Sequence, residues 1–238
     1  MKNYFILLVY TFLFISCDPP ASEEIVSDIN NYSKKYETVS PVNLSNAYEF
    51  VGQVYADVLD SYYADPYLPK DADSIIEKVN LEAHKHVFFD NLPLADYNLI
   101  PQSRISYLVS DGEVALDLIV SDSSLPLVAK ENFRSFVSTV LSKVDNEEDY
   151  TAIYNYVILY ESTIQDAVQL SPSEKEYLLT VTSIIRHSVY ARKKRPKKNT
   201  DLDWYWLTAK FSGALEGAQH GQTHAILTAL KAGIMTNK

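Results

Sequence analysis

From Asn43 onward the apolar positions follow a helical period. Ala47, Phe50, Val51, Val54, Tyr55, Val58, Leu59 and Tyr62 recur at steps that keep to one face of a helix. Asn46 followed by Glu49 predicts a capping box at its start. Pro66 and Pro69 predict its end, because proline removes a donor and disfavours helix at the residue before it. Ile75, Ile76, Val79, Ala83 and Val87 form the face of a second helix, from about Asp73 to Asp90, and Pro93 and Pro101 bound the loop after it. Pro126 suits the first turn of a helix running from Leu127 to Val144. Glu147, Glu148 and Asp149 open another, with Ile153, Tyr156, Val157, Tyr160, Ile164 and Val168 as its core face. Ser171-Pro172-Ser173-Glu174 combines a capping box with a proline at the first turn, and that helix continues through Leu178, Val181, Ile184, Ile185 and Val189 to about Arg192.

Residues 103–122 carry two periods at once. Ile105, Tyr107 and Val109 alternate, as do Val114, Leu116, Leu118 and Val120, with Asp111-Gly112 between them as a hairpin turn. Ile105, Leu108, Val109, Leu116, Ile119 and Val120 also fit a helix. An isolated hairpin is marginally stable, so the helical surroundings favour helix without excluding a short hairpin.

The most ordered pattern lies near the C-terminus. Ala209, Gly213, Gly217, Gly221, Ala225, Ala229 and Gly233 recur at every fourth position, a continuous row of small side chains on a helix. Four of the six glycines stand in this row, and each interior glycine costs a helix about 1 kcal/mol relative to alanine. Close approach of another backbone is the expected compensation. One helix from about Thr200 to Met235, roughly 33 residues and about 50 Å long, is predicted.

Composition adds a globular balance, with 47% apolar and 22% charged residues in 238, and a formal charge of −10. Phosphate binding needs a basic face, so nucleic acid is not an expected partner. The first residues have a different character. Lys2, the apolar run from Tyr4 to Ile15 and Ser16 have the three parts of an export signal, and the run is too short to span a bilayer. Cys17 is the one cysteine, so no intramolecular disulfide can form.

Leu13-Phe14-Ile15-Ser16-Cys17 resembles the lipobox of bacterial lipoproteins, with Phe14 where Leu is commonest. The resemblance implies cleavage before Cys17 and lipid on its thiol. Residues 1–16 are then a signal peptide, 17–42 the lipidated cysteine and a polar tether, with a short helix over 22–36 as an option, and 43–238 a single helical domain. The region from Leu170 to Gly233 is similar to the C-terminal part of small helical bacterial lipoproteins, which implies an exported helical domain and no activity.

Candidate chemistry is sparse. Glu216, His220 and His224 share a row, but Glu216 and His224 are about 12 Å apart along the axis, whereas ligands of one metal lie about 2 Å from it. His220 and His224 alone would need a third ligand from elsewhere. His84 and His86 point to opposite sides of a helix. Arg192 to Lys198 is basic apart from Pro196 and reads as a solvated loop, with anionic headgroups as the sharper alternative. The tyrosines of the stretch from Ser61 to Lys70 read as the edge of the core, with sugar stacking as the alternative. No phosphate loop, nucleophile elbow or cysteine cluster is present. No catalytic, cofactor or metal residue is assigned, and the chain leans away from an enzyme.

The expectation is an all-α multi-helix bundle with a long, buried, Gly/Ala-rich C-terminal helix. Functionally it is a lipid-anchored binding or structural module of the bacterial cell envelope. Its membrane attachment is the lipid on Cys17, with the outer membrane preferred over the inner. An envelope protein is a possible partner, and any small-molecule ligand is open. Two alternatives are a membrane-active or toxin-like protein acting through the glycine-rich helix, and a metal-dependent hydrolase using His220 and His224.

Overall fold

The computed structural model describes residues 39–194 and 203–236, and every regular element among them is helical. The α-helices are α1 (Glu49–Ala64), α2 (Ala72–His84), α3 (Gln102–Ser110), α4 (Gly112–Asp122), α5 (Leu127–Asp145), α6 (Tyr150–Asp166), α7 (Pro172–Lys194), α8 (Asp203–Ala218) and α9 (Gln222–Thr236). Short 3₁₀ turns occupy Val87–Phe89 and Leu94–Asn98. The export signal, Cys17, the tether up to Thr38 and the basic residues Arg195, Lys197 and Lys198 lie outside the described residues.

Local chemistry sets several boundaries as expected. Asp71 caps α2 by accepting from the Ser74 amide at 2.9 Å. At α7 the capping box is reciprocal: the Ser171 amide donates to Glu174 at 2.7 Å, and the Glu174 amide donates to the Ser171 hydroxyl at 3.3 Å. Other boundaries move. The helix expected to reach Asp90 ends at His84, and Val87 is exposed in a 3₁₀ turn. Val168, expected in the core, lies beyond the end of α6 and is 96% exposed.

The ambiguous stretch is helix on both sides of a break, and no hairpin forms. Asp111 leaves the helical conformation, and α4 restarts at Gly112. Tertiary packing explains the glycine there. A Cβ at Gly112 would lie 3.3 Å from the Ala209 amide nitrogen, and the Ser212 hydroxyl donates to the Gly112 carbonyl at 2.8 Å. Gly112 therefore lets α4 seat on α8 and is no hairpin residue.

The single long C-terminal helix is corrected to a helical hairpin. Gly221 has φ +104°, which side-chain-bearing residues rarely adopt, and the chain reverses there between α8 and α9. The row of small residues folds onto itself across this turn. A Cβ at Gly217 would stand 2.6 Å from the Ala225 Cα, and one at Gly213 would stand 2.9 Å from the Ala229 Cα and 2.7 Å from the Thr228 carbonyl. Gly233 makes room for the side chain of Lys210. Small residues equidistant from Gly221 thus face one another, which brings two backbones together and offsets the helical cost of glycine.

This hairpin is the middle of the molecule. α4 and α7 pack on α8, α2 and α3 pack on α9, and α1 and α6 pack on α7. Nearly every described side chain of α8 and α9 is buried, as a helix covered on all sides requires.

Candidate functional site

Two polar features stand out, one sealed and one open. The sealed feature begins with Arg186 on α7, whose side chain has 0% exposure. A buried guanidinium demands anionic partners. Arg186 meets the Glu49 carboxylate at the start of α1, donates to the Pro41 carbonyl, and lies 3.3 Å from Glu161 of α6, itself fully buried.

The next residue extends the cluster. His187 Nε2 stands 2.8 Å from the other Glu49 oxygen. A carboxylate only accepts, so Nε2 carries the hydrogen. Asn43 and Asn46 donate to the two Glu161 oxygens at 2.6 and 2.9 Å, and Asn46 also donates to the Leu179 carbonyl at 3.1 Å. Around these bonds Tyr154 holds the Val42 carbonyl at 2.9 Å, and Gln165 holds that of Ser45. Burial pushes the Glu49 carboxyl up. The hydrogen bond from His187 and the charge and hydrogen bond of Arg186 outweigh it, and the net direction is down.

The capping box expected at Asn46 and Glu49 does not form, because both side chains are spent here. Sequence reading found these two residues and assigned them a local role. Arg186, His187 and Glu161 gave no signal, since single charged residues in an apolar helix look the same whether they face water or the interior.

The open feature is a cleft of about 330 Å³ between α2, the Leu94–Asn98 turn and α3. Asp73, Glu77, Asn98 and Gln102 supply its polar walls, and Ile76, Ile100 and Ile105 its apolar ones. Behind it Lys231 of α9 is 2% exposed, and its ammonium donates to the Tyr97 carbonyl and, at 3.1 Å, to Asn98 Oδ1. Burial pulls the Lys231 amine down to about 8. The other buried lysine, Lys210, sits 3.4 Å over the Trp206 ring.

The sequence-derived candidates are dispersed. Glu216 is held by Arg104 of α3 through two hydrogen bonds of 2.8 Å, away from any role beside the histidines. His224 Nδ1 lies 3.0 Å from the His220 carbonyl, the two rings are 6.2 Å apart, and no set of three metal-binding side chains forms among the described residues. His84 pairs with Tyr97 at 3.2 Å, while His86 accepts from the Phe88 amide at 3.2 Å. Tyr62 is buried, with its hydroxyl pushed up to about 12 by desolvation and by Tyr63, and Tyr67 is exposed. Arg192, at the head of the basic run, is itself buried.

Comparison with protein-family models, with curated proteins and with solved structures found no match.

Proposed function

We propose that the chain is a lipid-anchored binding module of the bacterial cell envelope, attached to a membrane through Cys17 and carrying its helical body on a short tether. The observation that supports this reading is how Pro41 to Glu49 is held. Backbone carbonyls at Pro41, Val42 and Ser45 and side chains at Asn43, Asn46 and Glu49 are all bonded into α6 and α7. A pull along the segment that leads to Cys17 would therefore be taken up by buried charge-assisted bonds and not by a fraying helix end. The open cleft between α2 and α3 gives such a body a place for a ligand.

Labelled palmitate and envelope fractionation test the anchor. The native chain is expected to take up label and sediment with membranes, and Cys17→Ser is expected to lose both. A Cys17→Ser chain that sediments as before would overturn the reading. The membrane-active alternative has less support, because α8 and α9 interlock at backbone distance and no described helix is long and apolar enough to cross a membrane.

A further inference from the structure

The cleft is short of positive charge. Asp73 and Glu77 stand one turn apart on the exposed side of α2, and no described cation or hydrogen-bond donor meets either carboxylate. The cations close by in sequence or space are committed elsewhere. Lys78 is paired with Asp65, and Lys231 is held by Tyr97 and Asn98.

Lys231 also fixes how Asn98 stands. An ammonium only donates, so the oxygen of the Asn98 amide must face it, and Asn80 Nδ2 donates to that same oxygen at 3.0 Å. The Asn98 NH₂ is left as a donor on the cleft wall. Ile76, Ile100 and Ile105 cover the remaining surface, a lining suited to an alkyl chain.

We infer that this cleft binds a ligand carrying a primary ammonium on an aliphatic stem, the ammonium on Asp73 and Glu77 and the stem along Ile76, Ile100 and Ile105. The inference rests on the binding-module reading and supplies its ligand class. A divalent metal fits poorly, since two carboxylates fall short of the six or more oxygens that calcium takes and three isoleucines offer none. A sugar fits poorly too, since no aromatic ring lines the cleft.

Isoleucine-methyl NMR of the full-length chain in detergent tests this with spermidine, n-pentylamine, n-pentanol and magnesium chloride. The two amines are expected to shift the methyls of Ile76, Ile100 and Ile105, more weakly as salt rises, while n-pentanol and magnesium leave them in place. Asp73→Asn with Glu77→Gln, both at exposed positions, should weaken amine binding by about tenfold or more without changing the melting temperature. Glu113→Gln with Glu131→Gln makes the same change in net charge elsewhere and should leave affinity alone.

Equal response to n-pentanol, response to magnesium alone, or equal loss in the control pair would each overturn the site. Palmitate labelling reads the anchor independently of the cleft. A labelled chain that ignores amines removes the cleft site alone, and an unlabelled chain that binds them removes the anchor alone.

Discussion

At Arg186 a guanidinium without exposed surface stands between two buried carboxylates, so removing it leaves both with no cation beside them except through His187. Arg186→Met is expected to destabilise the fold by about 3–5 kcal/mol, read by urea denaturation. The Glu49 carboxyl sets the acid side. It is held below its ordinary value of 4.5, so the folded chain binds that proton less tightly than the unfolded one. Its stabilisation is full above the ordinary carboxylate range and is lost as pH falls through the lowered value. Glu49→Gln should therefore flatten the fall in stability below about pH 4.5. Lys231 acts in the opposite range. Its amine is lowered to about 8 from 10.5, so the cost of a buried ammonium is full below pH 8 and is relieved as pH rises toward 10.5. Lys231→Met should raise stability at pH 7 by about 1–3 kcal/mol, with a gain that shrinks toward pH 10.5. A variant less stable than the native chain at both pH values would mean that the bonds to Tyr97 and Asn98 outweigh desolvation.

Among the elements, the α8–α9 hairpin separates two uses of glycine that share one sequence spacing. Gly213 and Gly217 are contact glycines, and a methyl at either would press on the opposite backbone. Gly213→Ala and Gly217→Ala should each destabilise by about 1–3 kcal/mol. Gly221 has nothing within 4 Å of its missing Cβ, so its requirement is conformational, set by φ +104°. On one continuous helix Gly221→Ala would stabilise by about 1 kcal/mol. At a positive-φ turn it should destabilise by about 1–3 kcal/mol, so the sign of the change in thermal melts distinguishes the two arrangements.

For the whole molecule, the charge network ties α1 to α6 and α7, while the small-residue interface lies between α8 and α9. The two share no partner residue, so the losses in Arg186→Met and Gly217→Ala should add within about 0.5 kcal/mol in the double variant if the bundle unfolds as one unit. Two separate thermal transitions would show that it does not. The sequence by itself determined the helical class, most helix positions and the capping box at Ser171 and Glu174, because hydrophobic period and capping depend on neighbours a few residues away. It also marked the small-residue row, since a four-residue spacing is local. Only the tertiary structure decided that the row folds back on itself at Gly221, because a glycine in a helix and a glycine in a turn have the same neighbours in sequence. The same holds at Asn46 and Glu49. Their spacing permits a cap, but a buried Arg186 and Glu161 leave charges that must be satisfied from within the interior, and a charge-assisted bond there outweighs a local cap. The cleft was out of reach for the same reason: its walls come from three segments whose meeting depends on how α2, α3 and α9 pack.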